Sequence, residues 1–358
     1  MVGRRNWIGY AVVGVTLLLG AVAFMLFFSR VNVTGNSLGM DWFNAYHAFD
    51  GGVLRYQGNV VQPPWSVWPL VPLGLLPEQA SWGVLVYITL VTLFVAVPRI
   101  PARGRYLALV IATLASFPAL RTMTDGNLEV VGLAGALLSV YAYRVKNPYL
   151  LGLGVLFLSS KPQSATLLLL VGAVYVLRSW SVRQWLITLA VIVVGVGSTF
   201  FWWSDWWNTM LAIPDVGSIM DSSLQAALTR TGVIPDAVIT VARIALAVAA
   251  LAIAWLTGTT LSREKAAMLM AAMLLIAPYA AGNSALTPYV IGVIPLAARR
   301  GRGGWPLIAL TNLPFLALPF TDFQFHYSAY YWTAYFFIVF VVLAWHVWQR
   351  ERVMPDNP

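Results

Sequence analysis

The sequence predicts an all-α, polytopic integral membrane protein, and three observations carry that expectation. Hydrophobic residues make up 59% of the 358 residues, charged residues only 10%, and the mean hydropathy is +0.76. A soluble domain carries about 25% charged residues, so this chain lacks the polar surface that water requires. The second observation is recurrence: apolar runs lie near 7–29, 81–98, 105–120, 128–143, 149–158, 163–178, 184–203, 236–258, 264–281, 284–298, 304–320 and 328–349. They fill the whole length, which predicts one domain over 1–358 with about 11–12 transmembrane or re-entrant helices.

The third observation is where the charge falls. With Arg4 and Arg5 placed in the cytoplasm and the runs alternating, the cytoplasmic connections hold Arg99, Arg103 and Arg105, Arg144 and Lys146, Arg178 and Arg183, Arg263 and Lys265, and Arg299, Arg300 and Arg302. With Arg350 and Arg352 in the tail, 16 of the 22 basic residues lie inside, whereas only Glu264, Glu351 and Asp356 of the 13 acids do. Basic residues gather on the cytoplasmic side of membrane proteins, so the net charge of +9 reports topology and not nucleic-acid binding. Both termini are then expected in the cytoplasm. The absence of cysteine excludes disulfides, thiolate metal sites and cysteine nucleophiles.

Taken in order, the first run is about 20 residues, long enough to span, and Phe27-Phe28-Ser29-Arg30 offers no small-residue cleavage site, so it is expected to stay. A long outer loop, 30–80, follows; its 63–77 stretch is apolar but carries Pro63, Pro64, Pro69, Pro72 and Pro77, which predicts an interfacial or re-entrant segment. Residues 149–158 are too few to cross, yet they and 163–178 lie between two basic connections. A short helix rising to a buried turn at Ser159-Ser160-Lys161-Pro162 is expected. A second outer loop, 204–235, is preceded and opened by Trp202, Trp203, Trp206 and Trp207, an aromatic belt. No internal repeat, phosphate-binding glycine loop, dinucleotide fingerprint, HExxH or Gly-x-Ser-x-Gly element is present.

The polar residues concentrate between Gly39 and Pro77, as Asp41, His47, Asp50, Arg55 and Gln62, and the stretch is ordered Asp41, Tyr46-His47-Ala48, Gly51-Gly52, Tyr56, Pro63-Pro64 and a closing Pro-x-x-x-x-Pro. That order resembles the first outer loop of polyprenyl-phosphate-dependent glycosyltransferases of the GT-C superfamily, and among them the mannosyl/arabinosyl-transferase-like family, glycosyltransferase family 87. Gly152-Leu153-Gly154 followed by Ser159-Ser160-Lys161-Pro162 matches the family's Lys-Pro after small and apolar residues, and Thr124-Asp125-Gly126-Asn127 matches its Gly-Gln-x-Asn in part. A Ser-Trp-x-His stretch that relatives carry is absent around Asn283-Ser284.

The resemblance implies a GT-C-like bundle in a bacterial-type inner (plasma) membrane. It implies an inverting transfer of a mannose- or arabinose-like sugar from a polyprenyl-phosphate donor to a lipid or glycan acceptor on the outer face. The expected base is Asp41, which takes the acceptor's proton while lipid phosphate leaves from the opposite face. A helix N-cap, ahead of a short helix over 42–49, is the other reading of Asp41. Lys161 is expected to meet the donor phosphate or an internal carboxylate, because a lone lysine at membrane depth needs an anionic partner. Arg121, His47, His326, Asn127 and Gln62 complete the expected substrate-binding set, and Glu129, at the start of a span, pairs with Arg121 or Lys161 in its structural reading. No cofactor and no metal is expected, since the spacing of Asp41, His47 and Asp50 does not converge like a ligand set. Two other readings stand beside the enzyme: a GT-C-like subunit without catalysis that binds lipid or a membrane complex, and a lipid or solute transporter. Transporters often repeat broken helices in two halves, and the one-sided polar residues here favour the enzyme.

Overall fold

The computed structural model describes residues 4–30, 38–52, 62–202, 221–300, 304–317 and 327–353, and among these it holds helices and no β-strand. Helix α1 (Arg4–Phe28) is followed by the short α2 (Met40–Tyr46) and α3 (Pro64–Val67), and then by α4 (Glu78–Ala96), along which α1 packs. Next come α5 (Arg103–Leu114), α6 (Phe117–Asp125), α7 (Glu129–Arg144), α8 (Pro148–Leu158), α9 (Pro162–Ser179) and α10 (Val182–Trp202). The second half holds α11 (Leu224–Thr229), α12 (Asp236–Leu256) and α13 (Arg263–Ile276). It continues with α14 (Leu286–Pro288), a π-helical turn over Tyr289–Val293 and α15 (Ile294–Arg300), and closes with α16 (Trp305–Asn312), α17 (Pro314–Ala317) and α18 (Ser328–Val353). Among the described residues five helices are each long and apolar enough to cross a membrane, and the α5–α6 pair makes a sixth if it is one bent span. The chain is an all-α, multi-pass membrane protein.

The breaks are what position the site. Residues 105–120, one run by hydropathy, split because Ser116 caps a new helix and Pro118 sits in its first turn, bending the pair by 44°. The Phe117 N–H freed at the break donates to Asn312 Oδ1 at 2.8 Å. The short helix and buried turn expected around Lys161 are present: α8 has 11 residues, about 16 Å of rise, and Ser160 and Lys161 are buried before Pro162 restarts the chain as α9. The proline-rich stretch forms α3 and a 3₁₀ segment, Trp68–Leu75, and no span; Trp65 Nε1 donates to Ser159 Oγ at 2.7 Å, tying it to the buried turn. Trp203, Trp206 and Trp207 lie outside the described residues, as does the side chain of Trp202.

At the centre is α13. Every residue from Glu264 to Ala272 is buried, with Leu274 and Leu275, and the four alanines among them let α9, α12, α18 and the π-helical turn approach closely. The basic residues near its start cap helix ends. Lys265 donates to the Thr257 and Gly258 carbonyls at 3.2 and 3.0 Å, where α12 ends. Arg105 reaches the Ala297 and Ala298 carbonyls of α15 at 2.6 and 2.7 Å, and Arg263 reaches the Ala96 carbonyl of α4 at 2.6 Å. Glu264 lies 2.8 Å from Arg299 and 3.9 Å from Arg350. Cations at the carbonyl ends of helices suit both the unsatisfied acceptors and the helix dipole.

Helices α7 and α8 cross most tightly at two glycines: a Cβ on Gly135 would stand 2.2 Å from the Leu158 amide nitrogen, and one on Gly154 2.8 Å from the Ser139 amide nitrogen. Backbone cannot yield as a flexible side chain does. Gly135→Ala is therefore expected to destabilise the protein by roughly 1–3 kcal/mol, read as a lower midpoint of thermal unfolding in detergent. An unchanged midpoint would show slack in the crossing.

Candidate functional site

The site forms where four helix ends meet. Helix α2 is seated by the Gly39 N–H, which donates to the Thr124 carbonyl at 2.6 Å, and by Trp42, fully buried, whose Nε1 donates to Ser81 Oγ at 2.8 Å. Trp82 Nε1 donates to the Met123 carbonyl at 3.0 Å, and the Tyr46 hydroxyl to the Leu76 carbonyl at 2.6 Å. Gly126 ends α6 in the left-handed region, with φ of 71°, and any Cβ there would stand 2.5 Å from Trp42 Cβ. Only glycine meets both demands.

The helix starts earlier than the sequence suggests. Gly39 is its N-cap, in the left-handed region and without a side-chain cap, so Asp41 lies in the first turn and does not cap it. That frees the carboxylate. Asp41 is half-buried, and its Oδ2 accepts from Asn127 Nδ2 at 2.7 Å. Asn127 Oδ1 accepts from Lys161 Nζ at 3.1 Å and from the Glu129 amide at 3.0 Å. Lys161 Nζ then stands 2.6 Å from Glu129 Oε2, and Thr287 Oγ1 donates to Glu129 Oε1 at 2.8 Å. One polar chain thus runs from Asp41 through Asn127 and the Lys161–Glu129 pair to Thr287. The last of these stands immediately before the π-helical turn, separated from it only by Pro288.

The other expected residues are placed around this chain. Arg121 is half exposed, 48% for its side chain, and pairs with Asp125 at 3.0 Å. His47 is the C-cap of α2 and exposed, and Gln62 is half-buried at the start of its segment. His326 lies outside the described residues. Asp50 opens a 3₁₀ turn with Gly51 and Gly52, as its neighbours suggest. For Glu129, the pair with Lys161 is one of the two partners the sequence offered. Among the described residues no three His, Asp or Glu side chains gather as metal ligands.

Two groups were missed. Thr287 is an isolated threonine in an apolar run, and its partner is 158 residues away. Tyr279, in the segment after α13, has its phenol pushed above the ordinary value, first by burial and then by the carboxylates of Asp221 and Asp41. Asp221 itself is structural, its Oδ1 accepting from the Ser223 and Ala280 amides at 2.9 and 3.0 Å.

The sequence model of glycosyltransferase family 87 matches residues 61–278. The matched span contains Gln62, Arg121, Asn127, Glu129 and Lys161, and begins after Asp41 and His47. No curated protein and no solved structure matches the chain.

The Lys161–Glu129 pair is buried, with side-chain exposures of 9% and 1%. Removing one partner of such a pair strands the other, at a cost of about 3–5 kcal/mol. Lys161→Met and Glu129→Gln are each expected to lower the thermal midpoint clearly, and the double variant to lose less than the two singles combined. Strict additivity in the three unfolding curves would show that the charges do not depend on each other.

Proposed function

Because the chain belongs to glycosyltransferase family 87 and is built as a multi-pass membrane protein, we propose that it moves a sugar from a polyprenyl-phosphate donor to a lipid or glycan acceptor, with inversion and with Asp41 as the base. The observation that carries this reading is the state of Asp41: a half-buried carboxylate at a helix end, one oxygen committed to Asn127, with Oδ1 left for a proton. In the proposed reaction an acceptor hydroxyl gives its proton to Asp41 Oδ1, and its oxygen forms the new bond to the anomeric carbon. The bond from that carbon to the phosphate oxygen breaks, and polyprenyl phosphate departs with the electron pair. The donor is already activated, so no cofactor enters the scheme.

The anionic leaving group needs a cation. Lys161 is engaged by Glu129 and Asn127 and keeps little exposed surface, so in this proposal the phosphate meets the half-exposed Arg121 first, with Lys161 behind it. The Tyr279 hydroxyl, which feels the Asp41 carboxylate, suits a sugar hydroxyl. The sugar is taken as mannose- or arabinose-like.

The reaction is placed on the outer face of a bacterial-type inner membrane. Helix α7 starts at Glu129 beside the site and ends at Arg144, and its 16 residues rise about 24 Å. The arginine-capped helix ends and the Asp41 site therefore sit at opposite ends of the bundle, and basic ends face the cytoplasm. Reporter fusions within 99–105 and 299–302 are expected to give cytoplasmic signals and fusions within 38–52 external ones. A cytoplasmic signal from 38–52 would put the base in the wrong compartment.

Asp41→Asn tests the chemistry. The amide keeps an acceptor for Asn127 Nδ2 but takes no proton. General-base catalysis contributes about 10²–10⁴-fold, or roughly 3–5 kcal/mol of barrier. Transfer is expected to fall by that factor while the thermal midpoint stays nearly constant. Full transfer by Asp41→Asn would end the assignment, and a wild-type protein without transfer would support the reading as a non-catalytic subunit.

A further inference from the structure

The geometry behind Asp41 assigns a role to residues that touch no reacting atom. Asn127 Oδ1 receives two donors, Lys161 Nζ at 3.1 Å and the Glu129 N–H at 3.0 Å. Turned over, the amide would set its NH₂ against an ammonium and a backbone N–H, and its oxygen against a carboxylate. All three hydrogen bonds would become repulsions, so the amide holds one orientation, with Nδ2 on Asp41 Oδ2 at 2.7 Å. Lys161 cannot drift, because Glu129 stands 2.6 Å from its ammonium, and Glu129 is pinned on its other oxygen by Thr287 at 2.8 Å.

We propose that Asn127, Lys161 and Glu129 are positioning residues that aim the Asp41 carboxylate, the ion pair acting on Asp41 through the locked Asn127 amide. The inference rests on Asp41 being the base. It gives the buried lysine a use that simple charge neutralisation does not. A pair needed only to satisfy itself would not spend a third contact on Asn127, and a buried ion pair is at best neutral for stability against an apolar replacement. Among the described residues the Asp41 carboxylate also acts on Asp125 of α6, itself paired with Arg121, and on the Tyr279 hydroxyl from the segment after α13. Of the contacts on Asn127, two come from side chains, Asp41 and Lys161. The chain is also rigid by construction: Asn127 and Glu129 flank the start of α7, Lys161 is the residue before α9, and Thr287 lies in α14, so three helix termini fix one carboxylate.

The test is a double-mutant cycle on the full-length protein in detergent, following transfer from a polyprenyl-phosphate sugar. Asn127→Leu keeps the size of the side chain and removes the aim. A hydrogen bond to a charged group is worth about 1.5–3 kcal/mol, so kcat is expected to fall about 10–150-fold with donor KM nearly unchanged. In the Asp41→Asn background, Asn127→Leu is expected to reduce the residual transfer no further, since both changes act through one carboxylate. An equal loss in both backgrounds would overturn the proposal, as would a rise in donor KM with kcat unchanged, which would make Asn127 a donor contact. Should Asn127→Leu fail to fold, Lys161→Arg and Lys161→Met replace it. Retained charge is expected to recover part of kcat, in the wild-type background and not in Asp41→Asn, and equal kcat for the two lysine variants would overturn the proposal. Full transfer by Asp41→Asn alone removes the base and this inference together, and is read before the cycle is closed.

Discussion

A helix that stops inside an apolar bundle leaves N–H and C=O groups that no solvent reaches, and each must find a partner within the protein. Here these partners are side chains placed one residue before a helix or brought from a distant one. Ser116 accepts from the Ala119 amide, Asn147 from Leu150, Ser223 from Ala226 and Ser262 from Lys265, while Asn312 reaches across to Phe117. At the opposite end Arg105, Arg263 and Lys265 take the carbonyls. The division by sign follows from the chemistry of the ends: oxygen acceptors serve amide ends, and cations serve carbonyl ends.

The same constraint builds the site. Asn127 satisfies the first amide of α7 with its oxygen, and this obligation turns its NH₂ toward Asp41. Glu129 sits in the first turn of α7, where the helix dipole favours a carboxylate, and its burial then demands a cation. Lys161 supplies it because α8 stops after 11 residues and Pro162 forces a new start at that depth. Lengthening α8 by a turn would carry Lys161 about 5 Å away from Glu129. A short helix, a proline and a buried lysine are thus one device.

Much of this was legible. The all-α, multi-pass class follows from hydropathy, although of the twelve apolar runs five or six give helices long enough to cross among the described residues, and the Lys161 turn follows from a run too short to cross between two basic connections. Gly126 was legible as a family match and now has its physical reason, a positive φ against the Trp42 side chain. Other features were not. The cap reading of Asp41 failed because Gly39 adopts a left-handed conformation and starts the helix two residues earlier, which no periodicity over seven residues reveals. The bend within 105–120 frees the Phe117 N–H for Asn312, a residue almost two hundred positions away, and hydropathy averages over the Ser116 and Pro118 that make it. Thr287 and Tyr279 carry no local signal, because their meaning lies in what tertiary packing brings beside them.

The family match begins at residue 61, twenty residues after Asp41, so what joins Asp41 to the matched region is contact. Four hydrogen bonds make the join: Gly39 to Thr124, Trp42 to Ser81, Tyr46 to Leu76 and Asn127 to Asp41, at 2.6, 2.8, 2.6 and 2.7 Å. All four partners lie inside the matched span. The second is fully buried, as is the Trp42 ring that makes it, so α2 cannot be lifted off without exposing a large aromatic surface. Here the α2 segment gives its tryptophan to the core and its aspartate to the polar chain. The carboxylate is therefore a component of the matched bundle by packing, although it lies before it in sequence.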